Sequence, residues 1–317
     1  MVIDTDAASQ TLRSASVRVE SHELLISRLD VSDQAADITL PANCGGLGRV
    51  HRFAQDQGGG WPSNPLPSMP ASVHLNVPLA DSVFAQVFQN AACNWRCWYC
   101  FVPFNLLRAD ENRSTWVSAE SLVDQYLAVP DRPAILDLSG GQPDLAPEWP
   151  LWTLRHLKRR GADSTTFLWS DDNLSNDYLF RFLSDDDIDF LAGHPGYGRV
   201  GCLKGFDGES FAFNTGAHPE LFQRQLDLLT RIAERFPSLW LYITLTAPEV
   251  PLQPATVIGR LQDELERRSP GIVARTVPLR VFPFSPTRPR MRTDHQAALE
   301  VQEQLVTLWT EEAGQRA

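Results

Sequence analysis

The sequence predicts an α/β fold built on parallel strands. From residue 83 onward, apolar segments of strand character alternate with segments of helical period, the pattern of parallel strands joined by crossover helices. Six such strands are expected, at 83–89, 134–139, 165–170, 199–204, 239–246 and 276–282. Polar, chemistry-bearing residues fall just past the strands, where the loops of a parallel barrel carry function. With 317 residues, 43% of them hydrophobic, the chain is long enough for one barrel-sized core and an extension.

The elements follow in order. Segments 17–29 and 38–40 read as short strands. Gly45, Gly46 and Gly48 make a Gly-Gly-x-Gly run, but no helix follows to supply a dipole for phosphate, so 45–53 reads as a loop. A stretch dense in Gly and Pro, 57–70, reads as a linker. Residues 1–80 are therefore expected to form a small β-containing extension over the barrel mouth, followed by the barrel over 81–290. Within the barrel, Ser118 suits the cap of a helix carrying Leu122, Val123, Tyr126 and Leu127. Pro147 opens another with Trp149, Trp152, Leu154 and Leu157, ended by Lys158-Arg159-Arg160 and Gly161. A third, over 218–236, places Leu221, Phe222, Leu229 and Ile232 on one stripe. Residues 291–317 read as a polar terminal helix, with Leu299, Val301, Leu305 and Leu308 covering the barrel's open side.

Charge and hydropathy bound the function. A net charge of -11 argues against broad attraction to a nucleic acid backbone. No apolar run approaches the length of a bilayer, and the first residues lack the basic and apolar regions of a secretory leader, so a cytoplasmic protein away from membranes is expected. Five cysteines in such a compartment read as ligands and core thiols.

Three of those cysteines are the most informative residues of the chain. Cys93, Cys97 and Cys100 stand in the spacing C-x3-C-x2-C, which can wrap three thiolates around three corners of a cubane iron-sulfur cluster and leave one iron open. A structural zinc site usually takes four ligands, and Cys44, Cys202, His74 and His156 are all remote in sequence. Disulfides leave an odd thiol.

The loop, with Tyr99 before its last cysteine, resembles the signature of the radical S-adenosylmethionine (SAM) enzymes. The resemblance implies a partial (β/α)6 barrel of the radical SAM type, here with a small N-terminal β-containing extension. It also implies that the open iron chelates the amino acid end of SAM, that one electron from the reduced 4Fe-4S cluster breaks the sulfonium, and that a 5'-deoxyadenosyl radical takes a hydrogen atom. Ser139-Gly140-Gly141-Gln142-Pro143 resembles the family's G-G-E-P motif, which holds the SAM amino group, with Gln142 in place of glutamate. Ser170-Asp171-Asp172-Asn173 stands where relatives bind the ribose or the methionine part. The same residues before Leu174 also suit a helix cap, and both readings stay open. Cys202-Leu203-Lys204 resembles the Asp-Leu-Lys of glycyl-radical-enzyme activating enzymes, whose lysine helps bind SAM, with Cys202 in place of aspartate and read as a buried thiol. Segment 282–286 resembles their adenine-contact segment, and Arg288 and Arg290 after it read as a solvated basic turn.

The expected SAM contacts are thus Tyr99, Gly140, Gly141, Gln142, Asp171, Asp172, Asn173 and Lys204, and the cluster ligands Cys93, Cys97 and Cys100. No catalytic side chain beyond them is implied. The expected partners are a one-electron donor such as flavodoxin or ferredoxin and a substrate the sequence does not name: a small molecule, a peptide or a glycyl-radical protein. The alternative is a non-catalytic iron-sulfur protein that uses the fold for electron transfer or ligand binding.

Overall fold

The computed structural model describes residues 2–37 and 40–316. Asp4 caps helix α1 (Thr5–Ser16), its carboxylate accepting from the Ala7 N–H at 3.0 Å. Strands β1 (Val17–Arg18) and β2 (Glu23–Ser27) form a hairpin, followed by β3 (Gly48–Ala54) and α2 (Ser68–Leu75). The strand and helix alternation then runs through β4 (Ser82–Phe88), β5 (Ser114–Ser118), α3 (Ala119–Leu127), β6 (Ile135–Leu138), α4 (Glu148–Arg159) and β7 (Phe167–Asp172). After these come α5 (Tyr178–Phe182), α6 (Asp185–Gly193), β8 (Tyr197–Leu203), α7 (Gly208–Thr215), α8 (Leu221–Arg235), β9 (Trp240–Ile243), α9 (Pro254–Arg268), β10 (Thr276–Pro278) and α10 (Thr293–Gly314).

The six expected strands are β4 and β6 to β10, and neighbouring members pair in parallel in the order β10-β9-β8-β7-β6-β4. This is the expected α/β partial barrel. A seventh strand, β3, joins its edge antiparallel to β4, in the register Gly48↔Phe88 and Ala54↔Ser82. The expectation of a loop over 45–53 is corrected here: a 3-10 turn at Cys44–Gly46 leads straight into a strand. The glycine run serves that entry. Gly45 and Gly46 take positive φ, and a Cβ on Gly48 would sit 2.3 Å from Gln86 Nε2. β1 and β2 form a second antiparallel sheet with β5, so the first eighty residues share both sheets with the rest of the chain. Ile38 and Thr39, within one expected strand, lie outside the described residues.

Both faces of the main sheet are buried, as parallel strands require. On β6, Leu136 and Leu138 pack under the helices with Trp149, Leu154, Leu229 and Leu241, while Ile135 faces the concave side with Ala85, Phe167, Trp169, Val200 and Tyr242. Leu66 and, on α2, Ala71 plug the floor of that concave side. The open seam between the edge strands is strapped by 57–66. Arg280 donates to the carbonyls of Gln57 (2.8 Å) and Gly58 (3.0 Å), Trp61 Nε1 to that of Pro278 (3.2 Å), and Asn64 Nδ2 to the Tyr242 hydroxyl (3.2 Å). α10 packs on α9 and, through Ala298 and Leu299, against Trp98, Tyr99 and Val281. Among the described residues, no helix is long and apolar enough to cross a membrane.

Leu66 is fully buried beneath the cavity floor. Leu66→Ala is expected to lower stability by about 2–5 kcal/mol in urea denaturation; a loss below about 0.5 kcal/mol, as at a surface position, would contradict the plug.

Candidate functional site

The cysteine loop leaves β4 and is fixed through its backbone. The N–H of Cys93 donates to Leu107 O (3.2 Å), that of Arg96 to Thr215 O (3.2 Å), that of Trp98 to Asn214 O (3.2 Å) and that of Cys100 to Cys97 O (3.0 Å). Two guanidinium groups collect the loop's carbonyls. Arg96 donates to Cys93, Trp95 and Leu107, and Arg290 to Trp98 and Cys100. The solvated turn expected at 288–290 thus holds for the exposed Arg288 and is corrected for Arg290, because the cysteine loop offers carbonyls that no helix or strand satisfies. Behind the loop, Trp95 Nε1 donates to Thr5 Oγ1 (2.9 Å), Asn94 to Ser9 Oγ (2.8 Å) and Ser175 Oγ (2.7 Å), and Trp98 stacks on His295 with centroids 4.5 Å apart. The Tyr99 hydroxyl meets Thr244 Oγ1 at 3.0 Å.

The glycine turn after β6 lies directly on the base of this loop. Gly140 and Gly141 have φ of 87° and 68°, and a Cβ on Gly141 would stand 2.3 Å from Asn90 O and 2.6 Å from Ala92 O, so only glycine fits. Gln142 N–H donates to Ala92 O (2.7 Å), and Asn90 Nδ2 donates to Gln142 O (3.0 Å). Among the described residues the peptide groups of Gly140 and Gly141 have no hydrogen-bond partner. The Gln142 amide donates to Asp172 Oδ1 (2.8 Å) and accepts from the Asn173 N–H (2.9 Å). A glutamate here would oppose the Asp172 carboxylate, which accounts for the glutamine.

The end of β7 divides its two aspartates by the alternation of the strand. Asp171 points to the concave side and accepts from Ser139 Oγ (2.7 Å); burial raises its pKa, opposed by that bond and by Lys204. Asp172 points the other way, 1% exposed. It accepts from the Leu174 N–H (2.8 Å) and from Arg199 (2.8 Å), whose guanidinium also pairs with Asp144. Burial pushes the Asp144 carboxyl up to about 7 even with Arg199 opposing it. Asn173 Nδ2 donates to Asn94 Oδ1 (3.0 Å), while its own Oδ1 is buried without a partner. Gln225 of α8, absent from the sequence-based set, joins β7 to β8. Its amide donates to Asn173 O (2.6 Å) and Cys202 O (2.9 Å) and accepts from the Lys204 N–H (3.1 Å).

Of the predicted site residues, Cys93, Cys97, Cys100, Tyr99, Gly140, Gly141, Gln142, Asp171, Asn173 and Lys204 line one cavity of about 470 Å³. Asp172 does not. A larger cleft of about 1070 Å³ between α1, α5 and α8 contains no cysteine. Burial pushes the Cys97 thiol up to about 12 and raises that of Cys93. Burial also works against the Lys204 ammonium, but the anionic forms of Cys202, Tyr99, Cys97 and Cys93 outweigh it and hold its pKa above the usual lysine range. Among the described residues no three His, Cys, Asp or Glu side chains are gathered onto a single metal ion.

No known family's sequence profile matches this chain, and no curated protein does. Solved structures of SuiB from Streptococcus suis are similar. The one bound to S-adenosylmethionine gives a TM-score of 0.40 at 15% identity, over 58% of this chain and 37% of that one. The one bound to precursor peptide SuiA gives 0.39 at 14%, over 58% and 36%. The match spans little more than a third of SuiB.

Sequence reasoning missed Arg49, Asp137 and Tyr242, which line the same cavity. A lone acid inside the apolar run Ile135-Leu136-Asp137-Leu138 was the signal for one of them. Gly141→Ala is expected to reduce stability by about 1–3 kcal/mol in urea denaturation; unchanged stability would show that the turn tolerates a Cβ. Arg199→Gln leaves Asp144 and Asp172 buried against each other, with an expected loss of about 3–5 kcal/mol in urea denaturation, and a loss below about 1 kcal/mol would contradict the pairing.

Proposed function

We propose that this chain is a radical SAM enzyme. Cys93, Cys97 and Cys100 hold a 4Fe-4S cluster whose fourth iron is left to SAM. When bound and reduced, the cluster supplies the electron for reductive cleavage of SAM, and hydrogen is then taken from a substrate.

The protein's part is to bind, orient and exclude water. The unpartnered carbonyls at Gly140 and Gly141 accept from the SAM ammonium, and Lys204 meets its carboxylate. Asp171 and Asn173 accept from the ribose hydroxyls, using the Asp171 oxygen not held by Ser139 and the orphaned Asn173 Oδ1. Tyr99 borders the same cavity beside Cys97. Gln142 and Asp172 act as positioning residues, since their polar atoms are committed to tying β6 to β7 and β7 to β8. Arg96 and Arg290 place positive charge behind the loop, which favours thiolates. A reduced flavodoxin or ferredoxin, in a reducing compartment, is the electron source this reading requires. The observation that supports it best is the convergence of three thiols from one loop, a bare glycine turn and a lysine on one cavity at the carboxyl ends of parallel strands.

The test is anaerobic reconstitution with iron and sulfide, reduction with dithionite, addition of SAM and assay of 5'-deoxyadenosine. The loaded protein is expected to release it and Cys97→Ala to release none. Cluster-loaded protein that yields no 5'-deoxyadenosine would remove the reading.

A further inference from the structure

Away from the cysteines, the cavity wall carries buried charged groups that no salt bridge closes. Arg49 of β3 and Asp137 of β6 flank Val87 of β4 in one register row, each backbone-paired to it, and both side chains line the cavity. They are 8% and 2% exposed. Among the described residues they form no ion pair, and Arg49 Nε and Asp137 Oδ1 have no hydrogen-bond partner. Gln34, on the same wall and 2% exposed, has both amide atoms unpartnered.

Desolvating an ion costs several kcal/mol unless a counter-charge returns it. The wall bears that cost at both signs. Burial lowers the pKa of Arg49, with Asp137 and Asp171 opposing; burial and then Asp171 raise that of Asp137, with Arg49 opposing. A carboxylate matches the planar fork of Arg49, and an ammonium relieves the two neighbouring carboxylates. Lys204 and the glycine turn lie at the cysteine end and are taken by the zwitterion of SAM, so this second set calls for a second zwitterion. Beside it the wall turns apolar. The Arg49 guanidinium lies 5.4 Å from the Phe101 ring centroid, Phe101 and Phe284 are 6.2 Å apart, and Phe282 extends the aromatic edge.

We propose that the substrate is a free α-amino acid, its carboxylate held by Arg49, its ammonium by Asp137 and its side chain against Phe101, Phe282 and Phe284. As the assignment of a substrate this rests on the radical SAM reading; the binding itself does not.

The full chain, anaerobically reconstituted, is titrated calorimetrically with single L-amino acids, with their amides, with their N-acetyl derivatives and, separately, with SAM. At least one free amino acid is expected to bind, with its amide and N-acetyl forms at least ~10-fold weaker. Arg49→Gln and Asp137→Asn are expected to weaken it by about 30-fold or more while the SAM affinity stays within about two-fold, and Arg49→Lys to recover part of the loss. Absence of amino acid binding to the wild type overturns the proposal, as does equal binding of the amides. A parallel loss of SAM affinity in both variants also overturns it, because it moves the pair into the SAM site. The amide and N-acetyl arms use the wild type, so they decide the matter even where a variant fails to fold. Amino acid binding with this pattern in protein that releases no 5'-deoxyadenosine would sink the radical SAM reading and leave the binding site standing.

Discussion

Everything at the reactive end of this protein depends on satisfying the backbone where parallel strands stop. A strand that gives way to a functional loop leaves carbonyls and N–H groups without a ladder, and they lie too deep for water. Four buried amide side chains answer them: Asn90, Gln142, Asn214 and Gln225, none more than 1% exposed. Asn214 shows the principle. Its Nδ2 donates to Lys204 O (2.9 Å) and Thr246 O (3.1 Å), and its Oδ1 accepts from Trp98 Nε1 (3.0 Å) and Thr246 Oγ1 (2.7 Å), so one side chain joins β8, β9 and the cysteine loop. An amide suits this work because it donates and accepts at once. Asn214 and Gln225, each donating twice and accepting as well, stiffen the strand ends they join.

This explains why part of the site was legible in the sequence and part was not. The parallel strands and the helices α3, α4 and α8 announce themselves through local periodicity, because each is buried along a continuous stripe or run. The thiol spacing and the glycine pair are equally local. β3 is different. Its partner β4 lies some thirty residues further on, and Arg49 faces inward against the usual pattern, so Arg49-Val50-His51-Arg52 reads as loop until the edge of β4 is known to need covering. α1 hides for a similar reason: Thr5, Ser9 and Ser16, its buried positions, are all polar.

The consecutive aspartates at 171 and 172 show how little separates the two outcomes. Nothing in their chemistry distinguishes them, but a strand sends adjacent residues to opposite faces, and one joins the cavity while the other joins Arg199 beneath the helices. Register decides it, and register comes from the whole sheet. The substitution of Gln142 for the glutamate of the resembling motif acquires its meaning only beside Asp172, across thirty residues of chain.

The strap from Gln57 to Leu66 closes the seam with side chains where a complete barrel would use strand ladders. The girth of the chamber is accordingly set by a length of irregular backbone that contains no cysteine. Insertions or deletions there would retune the bore while every inter-strand bond and the cysteine loop stayed as they are. The width of the chamber and the cysteines at its end are thus written in separate stretches of the chain, free to diverge independently.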